Sequence, residues 1–131
     1  MAESGDNLSN GPLTVLTEEE RMFQAMASEF ALNEILPHTE EMDRDGAFNP
    51  ALLQNFFAQG FMGIEVPEAY GGSGGSFFLA ILAIEEFSRV DASAGVVVDV
   101  QNTLVNNALK KWGREEQKQK FLTRLVHDTL G

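Results

Sequence analysis

Three stretches of the chain hold residues whose types and spacing suit known chemistry. The first is VPEAYGGSGGSF at 66–77, where four glycines fall within five residues. Such a loop can aim backbone N–H groups at a phosphate. Its spacing argues otherwise: Gly72 and Gly74 begin a G-x-G-x-x-G fingerprint, but Phe77 stands where the third glycine belongs. A P-loop needs a lysine after its last glycine, and no basic residue is near. The plainer account is a tight loop that uses positive-φ positions.

The second stretch is EMDRDGAFNPAL, Glu41 to Leu52. Glu41, Asp43 and Asp45 stand at the first, third and fifth positions of a calcium loop, with Gly46 at the sixth. The twelfth position should be a bidentate glutamate, and it is Leu52. Without that ligand the stretch reads as a solvated turn and no metal site is expected. The third set is His38 and His127, neither with a partner at i+4, so no H-E-x-x-H zinc site arises. No G-x-S-x-G elbow supports a serine triad. The carboxylates lie mostly at helix starts and on polar faces. No catalytic set emerges from these motifs.

The bulk properties narrow the classes further. The chain has 131 residues, 44% of them hydrophobic, enough for one domain with a core. Its net charge of −11 repels phosphate backbones and anionic membrane surfaces, so neither nucleic acid nor a membrane surface is an expected partner. There is no cysteine, which excludes disulfides and thiolate chemistry. No apolar run approaches the ~18 residues of a membrane span. The opening MAESGDNLSNGP has neither the apolar core of a signal peptide nor the arginines of a transit peptide. The triplet Asn7-Leu8-Ser9 fits a glycosylation sequon, a pattern common by chance.

The elements that must position these residues read as helices. Residues 1–13 are expected to be a flexible polar tail, and 14–131 the folded domain. Thr17 with Glu18, Glu19 and Glu20 predicts a capped helix start, and Pro37 predicts its end near Leu36. HTEEMDRDGAF reads as a charged connector. Asn49, Pro50 and Gly60 punctuate a second helix, after which FMGIEVP reads extended. Phe77 to Ile84 predict a helix buried nearly all round at its start, with only the second half wetted. Asp91 is positioned to cap the next helix, 92–112, which Gly113 stops. A last helix begins near Arg114 and is expected to turn Phe121, Leu122, Leu125 and Val126 inward. That makes five helices and no strand, an all-α fold.

Helix 92–112 has two faces. Asp99, Asn102, Thr103, Asn106 and Lys110 line one; Val97, Val100, Leu104, Ala108 and Trp112 line the other, with Gly95 and Val96 nearby. An apolar stripe normally packs in a core. A glycine inside a helix costs about 1 kcal/mol relative to alanine, so Gly95 suggests close approach by something.

Three pieces in order, VPEAYGG, IEEFSRVDAS and WGREEQKQKFL, make residues 13–131 resemble the N-terminal helical domain of acyl-CoA dehydrogenases. GIEVPEAYGGSGGSF and DVQNTLVNN look most like members acting on short or 2-methyl-branched chains. Gly75 departs from the pattern, standing where a larger residue is expected. The resemblance implies an orthogonal bundle of about five to six helices. It implies a flavoenzyme in which a middle β-domain and a C-terminal helical domain follow this one. Such an enzyme oxidises an acyl-CoA to a trans-2-enoyl-CoA: a glutamate takes the α-proton and the β-hydrogen leaves as hydride to FAD. Electrons then pass to electron-transferring flavoprotein. Neither that glutamate nor the flavin-loop signature is expected within this chain, which by itself would be inactive and would not hold FAD. The helix matching 92–112 lines the acyl pocket in the family, and the resemblance places Val96, Val97, Val100 and Leu104 toward the acyl chain. It further implies a homotetrameric whole enzyme in fatty-acid or branched-chain amino-acid catabolism, in the mitochondrial matrix of a eukaryote or the cytoplasm of a bacterium. The alternative is a stand-alone helical module that binds acyl-CoA or protein, or self-associates through its apolar surface.

Overall fold

The computed structural model describes Pro12 and residues 14–131; the expected tail and the Asn7 sequon lie outside the described residues, Pro12 apart. Five helical runs and one isolated 3₁₀ turn, Glu68–Tyr70, follow among the described residues, with no strand. The first opens on α1, Glu18–Phe30. Thr17 closes a reciprocal box: its Oγ1 accepts from Glu20 N at 3.2 Å, and its own N–H donates to Glu20 Oε2 at 2.8 Å. Pro37 does not end this run. The helix widens into a π segment, Ala31–Ile35, then tightens into a 3₁₀ turn, Leu36–His38, and continues as α2, Thr39–Asp45. Pro37 sits in the first positions of the 3₁₀ turn, where it forgoes one backbone hydrogen bond while the change of helix type carries the chain on. The expected charged connector is therefore largely helical, and Gly46 stops it at φ 60°.

Asn49 caps α3, Pro50–Ala58, its Oδ1 accepting from Leu52 N at 3.0 Å. The chain then runs through 60–75, where Phe61, Met62, Ile64 and Val66 are buried. This segment is neither a strand nor a loose linker. The glycine stretch folds back along it: Ser73 N donates to Gly63 O (2.9 Å), Gly74 N to Val66 O (2.9 Å) and Gly75 N to Ile64 O (2.7 Å). A side chain on Gly72 would collide with the Val66 carbonyl, so this backbone-on-backbone contact requires glycine there.

Ser76 caps α4, Phe77–Val90, and Asp91 caps α5, Ala92–Asp99. The run continues through a π segment, Val100–Asn106, into α6, Asn107–Trp112. The final run joins α7, Glu115–Gln117, a π segment Lys118–Leu122, and α8, Thr123–His127. Phe30, Phe56, Phe61 and Phe87 form the centre of the core; Phe61 meets Phe87 edge-on with centroids 4.8 Å apart. A smaller cluster of Val66, Leu122 and Val126 ties the last run to the loop.

Two burial expectations fail. The start of α4 is not sealed, because Phe77 and Ile81 are exposed, while Glu86 in its second half is buried. Phe121 does not turn inward as Leu122, Leu125 and Val126 do. The π segment that contains it rotates Phe121 out to the surface.

Candidate functional site

Helix 92–112 carries the candidate site, and it sits with its polar face inward. Asn102 is 1% exposed. Its Nδ2 donates to Phe61 O (2.7 Å) and Val98 O (2.9 Å), and its Oδ1 accepts from Ile64 N (2.9 Å). Asn106 Nδ2 donates to Met62 O at 2.8 Å. Gln101 Nε2 donates to Leu125 O (2.7 Å) in the last run and to Thr129 O (2.9 Å) just beyond it. The cause lies in the 61–64 segment, which has no ladder partner on that side. Its buried backbone groups need side-chain partners, and amides supply both donors and acceptors.

The apolar face therefore turns outward. Val96 is 58% exposed, Val100 37%, Leu104 63% and Trp112 77%, with Ala108 exposed between them. The stripe expected to be core is a surface. Of the four residues the resemblance assigns to an acyl pocket, Val96, Val100 and Leu104 share this face. Val97 turns the other way and packs partly buried on the main core. Gly95 is explained within the chain: a Cβ there would collide with Ser88 Oγ where α4 crosses α5.

Beside the stripe, α6 and the last run enclose an open groove of about 690 Å³, lined by Val105, Ala108, Leu109, Trp112, Phe121 and Arg124 among others. Phe121 belongs to this site and was missed; its neighbour Leu122 carries the burial signal, and no periodicity separates the two inside a π segment. A second groove, about 780 Å³, runs past Glu40, Asp43, Gly46 and Asp91. The former calcium candidate lies here, but Glu41, Asp43 and Asp45 ride on helix α2 instead of wrapping a loop. Among the described residues no cluster of His, Asp and Glu is placed to hold a metal ion. His38 Nδ1 instead accepts from Asn49 Nδ2 at 3.2 Å.

The glycine loop does not fit a pyrophosphate. The N–H groups of residues 71–75 are already spent on carbonyls of 63–68, which leaves none to cradle phosphate oxygens. Its neighbour Tyr70 donates its hydroxyl to both oxygens of Glu115, at 2.9 and 2.8 Å. That bond raises the Tyr70 pKa and, with help from Gln119, lowers that of Glu115. It latches the loop to the last helical run. The stripe itself carries no ionisable group, so it can shape and dry an apolar ligand but cannot move a proton.

The family described as "Acyl-CoA dehydrogenase, N-terminal domain" matches residues 17–129. The mitochondrial short/branched chain specific acyl-CoA dehydrogenase of Bos taurus is 44% identical over 122 residues, covering 90% of this chain and 28% of the relative. An acyl-CoA dehydrogenase of Bacillus subtilis is 39% identical over 117 residues, covering 88% of this chain and 31% of its own. Among solved structures, butyryl-CoA dehydrogenase from Megasphaera elsdenii superposes with a TM-score of 0.79 at 32% identity, over 86% of this chain and 30% of that one. A chain in a structure described as the electron transferring flavoprotein of Acidaminococcus fermentans superposes at 0.81 with 38% identity, over 86% of this chain and 30% of that chain. The chain thus spans under a third of the length of each of these relatives.

Proposed function

The chain belongs to the acyl-CoA dehydrogenase family through its N-terminal domain, and from that premise we propose that it forms the helical wall of an acyl pocket in a flavin-dependent acyl-CoA dehydrogenase. The observation that carries this reading is the outward turn of Val96, Val100 and Leu104. An apolar stripe held out of the core by buried amides on its back is a surface built to be covered. A short or 2-methyl-branched acyl chain is its substrate class, in keeping with the printed names of the relatives. Valine-sized side chains there select by volume, where one methylene is worth about 1–3 kcal/mol.

FAD belongs to the proposed whole enzyme and supplies the redox chemistry when bound. The glycine loop of this chain does not fit its pyrophosphate, because the N–H groups of residues 71–75 are bonded to carbonyls of 63–68. The residues of the stripe exclude water from the acyl chain and orient it. Electron-transferring flavoprotein is the proposed electron acceptor, a homotetramer the proposed assembly, and the mitochondrial matrix or a bacterial cytoplasm the proposed location.

A chimera tests the reading. Residues 17–129 would replace the matching segment of the bovine relative. The expected product is a yellow protein whose flavin is bleached by 2-methylbutanoyl-CoA. A folded chimera that stays colourless with added FAD, or whose flavin ignores every acyl-CoA, would sink the proposal.

A further inference from the structure

We propose that His38 and Asn49 form a pH-sensitive cap: a proton on the His38 ring releases Asn49 and loosens the start of α3. The cluster is internal to the fold and does not rest on the acyl-wall reading. Asn49 is held from two sides. Its Oδ1 accepts from Leu52 N at 3.0 Å, which caps α3, and its Nδ2 donates to His38 Nδ1 at 3.2 Å. An amide nitrogen only donates, so Nδ1 carries the lone pair and the ring proton sits on Nε2. The two bonds fix each other. Turning the amide over to suit a different ring would give up the cap.

Acid removes that arrangement. In an imidazolium both ring nitrogens donate, so Nδ1 no longer accepts from Asn49. A second partner is already in place. Glu41 Oε2 lies 3.7 Å from the same Nδ1, and about 1 Å of closing makes a charge-assisted bond. Protonation therefore trades Asn49 for Glu41. No other carboxylate of the described residues pairs with the ring. Helix α3, which Asn49 caps, carries no charged residue. On the ring's own run, Glu34 accepts from Asn55 Nδ2 at 3.1 Å, Arg44 pairs with Asp45 at 3.2 Å, and Glu40 and Asp43 line the groove of about 780 Å³. Asp91, which lines the same groove, is occupied by Ser93 N and Ala94 N. The turn that Asn49 ends supplies Gly46, Ala47 and Phe48 to the wall of that groove. Releasing Asn49 therefore loosens one wall of the groove together with the helix start.

Nitrogen-15 NMR and hydrogen exchange on the 131-residue chain, from about pH 8 to about pH 5.5, read the two halves of the proposal. At the upper end His38 should be the tautomer with its proton on Nε2. The Asn49 side-chain amide signals should move as the ring titrates. The protection of Leu52 N–H, taken relative to its intrinsic exchange at each pH, should fall about fivefold, the scale of one lost cap. His38→Gln should leave that protection level across the range. Asn49→Asp puts an acceptor in place of the donor, able to hold both Leu52 N–H and the imidazolium, so there acid should raise the protection. A ring proton on Nδ1 at pH 8, level protection in the unaltered chain, a fall that persists in His38→Gln, or the same fall in Asn49→Asp would each overturn the proposal.

Discussion

At the residue scale, two surfaces of one helix carry opposite loads. Asn102 is the residue on which helix 92–112 is registered against the 61–64 segment, through three bonds at 2.7 to 2.9 Å. Asn102→Ala strips partners from buried backbone groups and is expected to cost about 2–4 kcal/mol in urea unfolding. Leu104→Ala, on the exposed face, is expected to stay within about 0.5 kcal/mol. Equal effects would mean that the two faces are assigned the wrong way round.

Tyr70 and Glu115 give a second residue-scale test. The Glu115 pKa is lowered from its ordinary 4.5 chiefly by the Tyr70 bond. Its contribution is present above the unfolded pKa and is lost as pH falls through the lower folded value. Tyr70 is raised above 10.0 by the same bond, so its part is present below that value and is lost as pH rises through the higher folded one. Carbon-detected NMR should find the Glu115 carboxyl titrating below the ordinary range. In Tyr70→Phe its pKa should rise toward normal; an unmoved titration would remove Tyr70 as the cause.

At the element scale, the caps were readable because they are local. Thr17, Asn49 and Asp91 each close a helix start with a side chain two or three residues from the N–H it accepts. Pro37 misled because a proline forbids one hydrogen bond without forbidding a change of helix type, and the π and 3₁₀ turns around it carry the chain onward. The facing of helix 92–112 was not legible either. Periodicity separates two faces, but which one turns inward depends on what the rest of the fold needs. Here the 61–64 backbone needs amides, a demand encoded far away in sequence. The α4–α5 crossing follows the same logic at Gly95, whose Cβ would meet Ser88. Gly95→Ala is expected to destabilise by about 1–3 kcal/mol despite its helix propensity. Adding Ser88→Ala should recover part of that loss in a thermal-unfolding cycle, since the pair is in contact. Purely additive losses would place the strain elsewhere.

At the scale of the whole molecule, the fold leaves an apolar stripe and its neighbouring groove uncovered on an acidic body. The family and the all-α class were readable from three ordered stretches. Val96, Val100 and Leu104 share one outward face, while Val97, one position on from Val96, lies partly buried against the core. The central claim is that this face is a wall that measures acyl chains. Its most direct test is the specificity of the flavin-bearing chimera carrying Val100→Phe, comparing kcat/KM for 2-methylbutanoyl-CoA and for butanoyl-CoA. The added ring should cut the branched substrate by at least about tenfold more than the straight one. Identical ratios for both substrates, before and after the substitution, would contradict the claim.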